Sequence, residues 1–231
     1  MFAVKNILHD FTHLFFPHIC AGCGTDVLNH ESPLCLRCID QLPVTNFHVH
    51  AGNAVEKHFW GKIPIHGATS YCHFTKSSLI QGLLHQLKYK GNQEIGRFLG
   101  QMMGKIIKTS NRFSDVEVLV PLPLYAARQR KRGYNQAAVL CEGMAAAMEV
   151  PVITDAIVRL SATATQTHKN RIERWQNMQG RFMVTDPVVF NNKHVLLVDD
   201  VVTTGATLEA CGQELLQHCK QLSIATLAHT V

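Results

Sequence analysis

Short apolar runs alternate along the chain with amphipathic segments, and this alternation predicts the secondary structure. From residue 65 to the end, strand-like runs and segments with helical spacing follow one another. The predicted strands are Ile65–Phe74, Glu117–Val120, Ile153–Arg159, Arg181–Thr185, Val195–Val198 and Leu222–Thr230. The predicted helices are Ser77–Lys88, Glu94–Lys108, Gln136–Met148 and Ala206–His218. Strands that alternate with helices indicate an α/β fold with a parallel sheet and crossover helices.

The first part of the chain has a different pattern. Apolar residues near helical spacing between residues 2 and 16 predict a short amphipathic helix, which Pro17 ends. Residues Pro43–Gly61 show little periodicity and are expected to form a linker. We therefore expect an N-terminal module over residues 1–45 and an α/β domain over residues 60–231.

The run from Val195 to Thr207 carries the most specific chemical signal. It reads Val-Leu-Leu-Val-Asp-Asp-Val-Val-Thr-Thr-Gly-Ala-Thr, which predicts a buried strand, two carboxylates, a loop rich in hydroxyls, and a helix from Ala206. Ligands of open α/β sheets bind at the carboxyl ends of the strands. Backbone N–H groups and threonine hydroxyls at a helix N-terminus favour a phosphate dianion. Gly205 lets the backbone approach that phosphate closely.

The two carboxylates complete the outline of a ribose 5-phosphate site. Asp199 and Asp200 can accept hydrogen bonds from vicinal ribose hydroxyls and can hold a hydrated Mg²⁺. The alternative is an ordinary strand–turn–helix with solvated aspartates, which the complete run in this order disfavours. The run resembles the phosphoribosyl-pyrophosphate (PRPP) motif of type I phosphoribosyltransferases. The predicted PRPP residues are Asp199, Asp200, Thr203, Thr204, Gly205, Ala206 and Thr207, and the two aspartates are the catalytic candidates.

Four of the eight cysteines form two C-x2-C pairs. The four residues are Cys20, Cys23, Cys35 and Cys38. Two tight turns that each carry two thiolates complete a tetrahedral Zn²⁺ site, and four thiolates leave no position for a reactive water, which predicts a structural metal. His18 and His30 are rival ligands by proximity, although surface positions are favoured for them. The isolated Cys72, Cys141, Cys211 and Cys219 are expected to pack in the core.

Composition narrows the class of protein. Hydrophobic residues make up 46% of the chain and charged residues 17%, which is typical of a globular protein. The longest apolar runs are far shorter than the roughly 20 residues that span a bilayer. The N-terminal residues lack the continuous apolar region of a signal peptide, so we expect a cytoplasmic location and no transmembrane segment. The net charge of +5 permits an anionic partner without requiring one.

A basic segment follows the predicted strand Glu117–Val120 and therefore lies at the same edge of the sheet. It contains Arg128, Arg130, Lys131 and Arg132, followed by Gly133. Arginine gives bidentate phosphate contacts and lysine a point charge. Lys131, Arg132 and Gly133 are thus candidates for holding pyrophosphate opposite the 5′-phosphate. The alternative is the solvated start of a basic helix, which is the usual role of such charge runs.

Several of these segments together resemble the ComF family of bacterial competence proteins. The matching segments are Phe16–Cys23, Leu87–Gly91, Lys131–Ala137, the PRPP motif, and the spaced set Thr165, Gln166, Arg174, Asn177, Gly180 and Phe182. The match covers nearly the whole chain, and its Arg-Gly-Tyr-Asn-Gln run is specific to this family. The resemblance implies a type I phosphoribosyltransferase-like parallel sheet flanked by helices, with a small N-terminal four-cysteine zinc module.

The resemblance also implies a role in natural transformation. Such a protein handles incoming single-stranded DNA in the cytoplasm, beside a competence helicase and the DNA uptake channel, and binds PRPP with Mg²⁺. The candidate nucleic-acid contacts are Arg128, Arg130, Lys131, Tyr134 and Trp175. The segment Thr165–Asn177 is a candidate lid over the site.

Two other functions stay open on the sequence. One is a metabolic phosphoribosyltransferase, a glycosyltransferase that attaches phosphoribose to an unidentified base or amine. The other is a nucleic-acid adaptor in which the zinc module is active and the pocket is vestigial. The Arg-Gly-Tyr-Asn-Gln run favours the competence role over the first, and the intact run from Asp199 to Gly205 counts against the second.

Overall fold

The computed structural model describes residues 19–26, 32–160 and 182–230. The predicted N-terminal helix, His18, His30, the candidate lid Thr165–Asn177 and Trp175 lie outside these residues. None of the helices in the described ranges combines the length and the apolarity needed to cross a membrane.

A four-stranded parallel sheet forms the centre of the molecule. Its strands lie in the order β1 (Gly67–Phe74), β6 (Gln221–Thr230), β5 (His194–Val202) and β2 (Val118–Pro121). All three neighbouring pairs run parallel, so their carboxyl ends meet at one edge. The predicted α/β fold with a parallel sheet is confirmed.

The helices within the described ranges cover both faces of this sheet. They are α1 (Leu36–Asp40), α2 (Ala54–Lys57), α3 (Leu79–Tyr89), α4 (Gln93–Lys108), α5 (Ala126–Arg132), α6 (Gln136–Met148) and α7 (Ala206–Leu215), with a 3₁₀ turn at Val188–Phe190. The four predicted helices agree with α3, α4, α6 and α7 to within three residues at either end. The helices α3, α4 and α7 each bury one apolar face, as the helical spacing of their apolar residues predicts.

Alternate residues of β5 divide the interior into two cores. Leu196 and Val198 point into a core that contains side chains of α3, α4 and α6. Val195 and Leu197 point into a second core with α7. This is the period of two that a strand imposes on its side chains, and burial on both faces explains why β5 reads as a continuous apolar run.

Two predictions from the sequence need correction. The strands predicted at Ile153–Arg159 and Arg181–Thr185 are present as β3 (Ile157–Arg159) and β4 (Phe182–Val184), but they pair with each other in an antiparallel ribbon. The first segment meets the parallel sheet through a bridge between Val152 and Leu119 of β2. Residues Pro43–Gly61 are not a linker. They include α2, and they bury Val55 and Phe59 completely in the second core. Low periodicity misled the prediction because this short segment is fixed by tertiary contacts instead of by one long amphipathic face.

Candidate ribose-phosphate site and four-cysteine centre

The two aspartates lie in the second half of β5, near the carboxyl edge of the sheet. This strand continues to Val202, four residues beyond its predicted end. Asp199 pairs in register with Thr226 of β6, and Val202 pairs with His229. The neighbouring strand β2 ends at Pro121. The strand β5 therefore projects past β2, and its carboxylates lie above the edge where β2 gives way to α5.

The phosphate-loop candidates follow β5 directly and surround a small depression. It has a volume of about 50 Å³ and is lined by Asp199 and by the residues Val201–Leu208. Thr203 and Thr204 are exposed, so their hydroxyls are accessible to an anion. Gly205 precedes α7 and supplies no side-chain cap. The N–H of Ala206 donates only a long hydrogen bond, of 3.5 Å, to Oγ1 of Thr204. The depression thus lies at a helix N-terminus with a threonine hydroxyl beside it, as an anion site requires.

Gly205 is required for two physical reasons. Its φ of +75° lies in the left-handed region that disfavours a side chain. A Cβ there would also lie 3.1 Å from Cβ of His58 and 3.3 Å from the ring of Phe59. The segment Pro43–Gly61 thus forms the support behind the phosphate loop, which gives it a role at the site that its sequence did not reveal.

Opposing charges act on the aspartate pair. Burial, followed by the negative charge of Asp200, raises the pKa of Asp199 to about 8, while Lys88 and Arg159 oppose the rise. The backbone N–H of Asp200 donates to Oδ1 of Asp199 at 2.8 Å. Lys88 Nζ lies 3.0 Å from Oδ1 of Asp200. A second positive charge at this edge, from a hydrated metal ion, would stabilise both carboxylates in their ionised form.

The Arg-Gly-Tyr-Asn-Gln run forms a tightly bonded turn between α5 and α6. Gly133 ends α5 with a φ of +82°. The hydroxyl of Tyr134 donates to the carbonyl oxygen of Leu87. Asn135 caps α6 by accepting from the N–H of Ala137 at 3.0 Å, and its amide donates to the carbonyl oxygen of Leu122 at 2.9 Å. The turn therefore ties the basic helix to α3 and to the end of β2.

Lys88 lies between the basic residues of α5 and the aspartate pair. Arg128, Lys131 and Arg132 line one cavity together with Lys88, and Lys88 reaches Asp200 on its other side. Arg130 is exposed and does not line this cavity. The predicted loop of cations is in fact the helix α5, with Lys131 exposed and Arg132 bonded to Oε1 of Gln136 at 2.7 Å.

Two cations beside the aspartates escaped the analysis of the sequence. Lys88 was predicted only as the end of a helix and as part of a segment that resembles the family, and Arg159 only as the end of a strand. The guanidinium carbon of Arg159 lies 3.9 Å from the ring centroid of Tyr125, and its buried Nε has no hydrogen-bond partner among the described residues. Both residues reach the site from distant parts of the chain, so no local pattern could have indicated them.

The four predicted cysteine ligands converge in the N-terminal part of the structure. The sulfurs of Cys20, Cys23, Cys35 and Cys38 all lie within 4.8 Å of one another. Four sulfurs bound at about 2.3 Å to a tetrahedral Zn²⁺ lie about 3.8 Å apart, and Cys23 and Cys35 are 3.7 Å apart. A disulfide needs about 2.05 Å. The residues present therefore fit a metal ion held by four thiolates.

Hydrogen bonds prepare one of these thiols to lose its proton. The N–H groups of Gly22 and Cys35 donate to Sγ of Cys20 at 3.4 and 3.3 Å. Burial acts to raise the pKa of Cys20, but backbone hydrogen bonds, from Cys35 first, outweigh it and lower the pKa to about 6. Burial raises the pKa of Cys38. Of the isolated cysteines, Cys72, Cys141 and Cys211 are fully buried as predicted, and Cys219 is half-buried.

Comparison with known proteins places this geometry in a family. Residues 135–229 match the family model described as the phosphoribosyl transferase domain. Competence protein F from Haemophilus influenzae is 29% identical over 201 residues, which cover 85% of this chain and 83% of that protein. DNA utilization protein YhgH from Salmonella typhimurium is 30% identical over 203 residues, covering 87% and 85% respectively.

A likeness to a solved structure is weaker. The glutamine PRPP amidotransferase from B. subtilis, complexed with ADP and GMP, aligns with a TM-score of 0.44 and 13% identity. The alignment covers 62% of this chain and 30% of that chain. The family match and the parallel sheet with its flanking helices identify a type I phosphoribosyltransferase fold. By its extended similarity to competence and DNA utilization proteins, the chain belongs to the ComF family.

Proposed function

We propose that the protein binds PRPP with Mg²⁺ at the carboxyl edge of its sheet and handles incoming single-stranded DNA during natural transformation. The observation that carries the first part is the depression that Asp199 and the loop Thr203–Thr207 line together, with Asp200 bonded through its N–H to Oδ1 of Asp199 at 2.8 Å. The family membership supports the second part, because relatives are named for competence and for DNA utilization. A competence helicase, the DNA uptake channel and a cytoplasmic location belong to the same proposal.

Different residues of the site contact different parts of PRPP in this proposal. Thr203–Thr207 hold the 5′-phosphate, and Asp199 and Asp200 accept hydrogen bonds from the ribose hydroxyls. Lys131, Arg132 and the turn at Gly133 hold the pyrophosphate end. Bound Mg²⁺ supplies positive charge to the diphosphate and to the two carboxylates. In a transfer reaction the bond from C1 of the ribose to pyrophosphate breaks while a bond to the acceptor forms, and these residues contribute positioning and charge stabilisation.

Isothermal titration calorimetry with PRPP and Mg²⁺ tests the ligand. Asp200→Asn keeps the size of the side chain but removes its charge, so it should weaken binding of the diol and the metal together. Thr204→Val should weaken binding by about 1–3 kcal/mol, since a buried anion loses a hydrogen-bond donor. Asp155→Asn, at an exposed position before β3, is the matched control and should bind as wild type does. Absence of PRPP binding to the folded wild-type protein would refute this assignment.

The DNA-handling role is tested separately with short single-stranded oligonucleotides. Binding should weaken as salt rises, because phosphate contacts release counterions. Joint neutralisation of Arg128, Arg130 and Lys131 should reduce both binding and transformation while the protein stays folded, since all three are exposed. If the triple variant binds like wild type across the salt series, DNA contacts another surface.

The second candidate is the metabolic phosphoribosyltransferase. It is favoured by the completeness of the ribose-phosphate site, which a DNA-binding protein does not need. PRPP binding without any salt-sensitive binding of single-stranded DNA would place this candidate first. Release of pyrophosphate from PRPP in the presence of a base or an amine would then identify the acceptor.

A further inference from the structure

A large cavity among the described residues lies beside the proposed ribose-phosphate site. It has a volume of about 550 Å³ and is lined by Lys88, Tyr89, Gly91, Arg128, Lys131, Arg132 and Tyr134. Four of these seven residues are cations and two are tyrosines, and none of the seven is acidic. Such a combination of positive charge and aromatic surface is typical of sites for single-stranded nucleic acid.

Tyr89 presents the accessible aromatic face of this cavity. Its side chain is 67% exposed at the end of α3, although a tyrosine ring is largely apolar and gains by being covered. The guanidinium carbon of Arg132 lies 5.5 Å from the ring centroid, and the ring of His85 lies 5.1 Å away. Among the described residues, these contacts leave much of the ring open to solvent.

The other tyrosine of the cavity is already engaged. The hydroxyl of Tyr134 donates to the carbonyl oxygen of Leu87, and its ring packs against the first core. Its function in the structure is to hold the turn after α5 against α3. Tyr89 therefore replaces Tyr134 as the stacking residue.

Four cations line the cavity that Tyr89 borders. Arg132 is held beside Tyr89 by its hydrogen bond to Gln136 at 2.7 Å. Arg128 and Lys131 are exposed on α5 and line the same cavity. Lys88, which lines the cavity, lies 3.0 Å from Asp200, so this side chain joins the cavity to the aspartate pair of the proposed ribose-phosphate site.

We propose that this cavity binds single-stranded nucleic acid, with one base stacked on Tyr89 and the adjoining phosphates on Arg128, Lys131 and Arg132. A stacked base must be unpaired, which selects a single strand over a duplex. Pyrophosphate has no base or apolar surface that could stack on the ring of Tyr89. This inference rests on the proposed DNA-handling role. Because Lys131 and Arg132 are also the proposed pyrophosphate ligands, strand and PRPP compete for them.

Fluorescence anisotropy with a labelled oligothymidylate of about ten nucleotides tests the stacking contact. Tyr89→Ala should weaken binding by about tenfold, and Tyr89→Phe should bind as wild type does, since stacking uses the ring and not the hydroxyl. An oligomer of the same length without bases should bind equally to wild type and Tyr89→Ala. Trp60→Ala is the matched control, because Trp60 is 60% exposed with Lys57 Nζ 5.9 Å from its ring but lies outside the cavity.

The outcomes separate this inference from the proposed PRPP site. Calorimetry should show unchanged PRPP affinity in Tyr89→Ala, and PRPP with Mg²⁺ should displace the oligonucleotide from wild type. If Tyr89→Ala binds the oligonucleotide like wild type while PRPP still binds, the stacking site is refuted and the PRPP site stands. Independent binding of the two ligands would place the strand elsewhere. Thymidine monophosphate binding as tightly as the oligonucleotide would identify a free nucleotide as the occupant and overturn the assignment.

Discussion

Nε2 of Gln86 donates a hydrogen bond to the carbonyl oxygen of Ala21 at 2.6 Å, across 65 residues of sequence. Ala21 lies between Cys20 and Cys23 of the four-cysteine centre, and Gln86 lies on α3, two residues before Lys88. Because Lys88 contacts Asp200 at 3.0 Å, one helix connects the four-cysteine centre with the ribose-phosphate site. Cys20 and Cys38 also belong to the first core, together with Leu83 and Leu87 of α3.

The first prediction concerns the metal. Protein purified without chelator should contain one zinc per chain, and Cys35→Ser should lose it and unfold at a lower temperature, because the binding energy of a structural metal is also folding energy. Elemental analysis and thermal denaturation measure the two effects. Cys219→Ser, at a half-buried position away from the centre, should retain its metal. A metal-free protein as stable as the loaded one would contradict the assignment.

The second prediction concerns the link through α3. Gln86→Ala should keep the zinc content but lower the free energy of unfolding by about 1–3 kcal/mol, the usual contribution of two hydrogen bonds, because Oε1 of Gln86 also accepts from Nδ2 of Asn92 at 3.1 Å. It should also weaken PRPP binding, since α3 then holds Lys88 less firmly. Gln101→Ala, at an exposed position on α4, should change neither quantity. Unchanged PRPP affinity in Gln86→Ala would show that the site is positioned without the module.

The third prediction concerns two glycines in helices. A Cβ on Gly143 of α6 would overlap the carbonyl oxygen of Arg97 on α4, whereas a Cβ on Gly82 of α3 would meet nothing within 4 Å. Gly143→Ala should therefore destabilise the protein by about 1–3 kcal/mol through overpacking. Gly82→Ala should stabilise it by about 0.5–1 kcal/mol, because alanine is the better helix former. Urea denaturation measures the free energy of unfolding of both variants. If Gly143→Ala and Gly82→Ala change it by the same amount, the close packing of α4 and α6 is contradicted.

The fourth prediction uses the raised pKa of Asp199, which burial and the Asp200 charge move from 3.8 to about 8. The folded state binds this proton more tightly than the unfolded chain, so the protein without ligand loses stability as pH rises from about 4 to about 8. Asp199→Asn should thus have a higher Tm than wild type at pH 8 and a similar Tm at pH 4, at the expense of PRPP binding. A Tm at pH 8 no higher than that of wild type would contradict the charge repulsion.

The fifth prediction concerns His194 at the opposite edge of the sheet. Its ring lies 2.9 Å from Asp115 and 2.8 Å from Ser223. The order resembles a nucleophilic triad, but Ser223 is completely buried and no substrate can reach it. Burial lowers the pKa of His194 from 6.5, and the charge of Asp115 opposes this. As pH falls below about 6.5, the unfolded chain takes up a proton that the buried ring resists, so stability falls.

His194→Gln should therefore reduce the loss of stability between about pH 7 and pH 5. The loss should not vanish, because burial also lowers the pKa of His229. Urea denaturation at several pH values measures how the free energy of unfolding changes with pH. His218→Gln, in the turn after α7, is the control and should keep the wild-type dependence of stability on pH. A wild-type dependence in His194→Gln would contradict the role of the buried ring.

Local patterns in the sequence determined the fold class and the composition of the candidate site. The period of two or 3.6 residues is imposed by the strand or helix itself, so the helices α3, α4, α6 and α7 and the strand β5 could be read from the chain alone. The phosphate loop was equally readable, because a strand, its carboxylates and the following helix N-terminus are consecutive in sequence. The same holds for the two C-x2-C pairs, whose sulfurs the structure brings within 4.8 Å.

Only the tertiary structure decided which distant groups surround these motifs. Lys88 and Arg159 act on the aspartates from α3 and β3, and His58 and Phe59 support Gly205 from a segment with no periodicity. The cavity beside Tyr89 exists because Tyr134 holds α3 against the turn after α5. Such contacts depend on the packing of elements far apart in the chain. A sequence encodes them through the free energy of the whole fold, and no short run of residues records them.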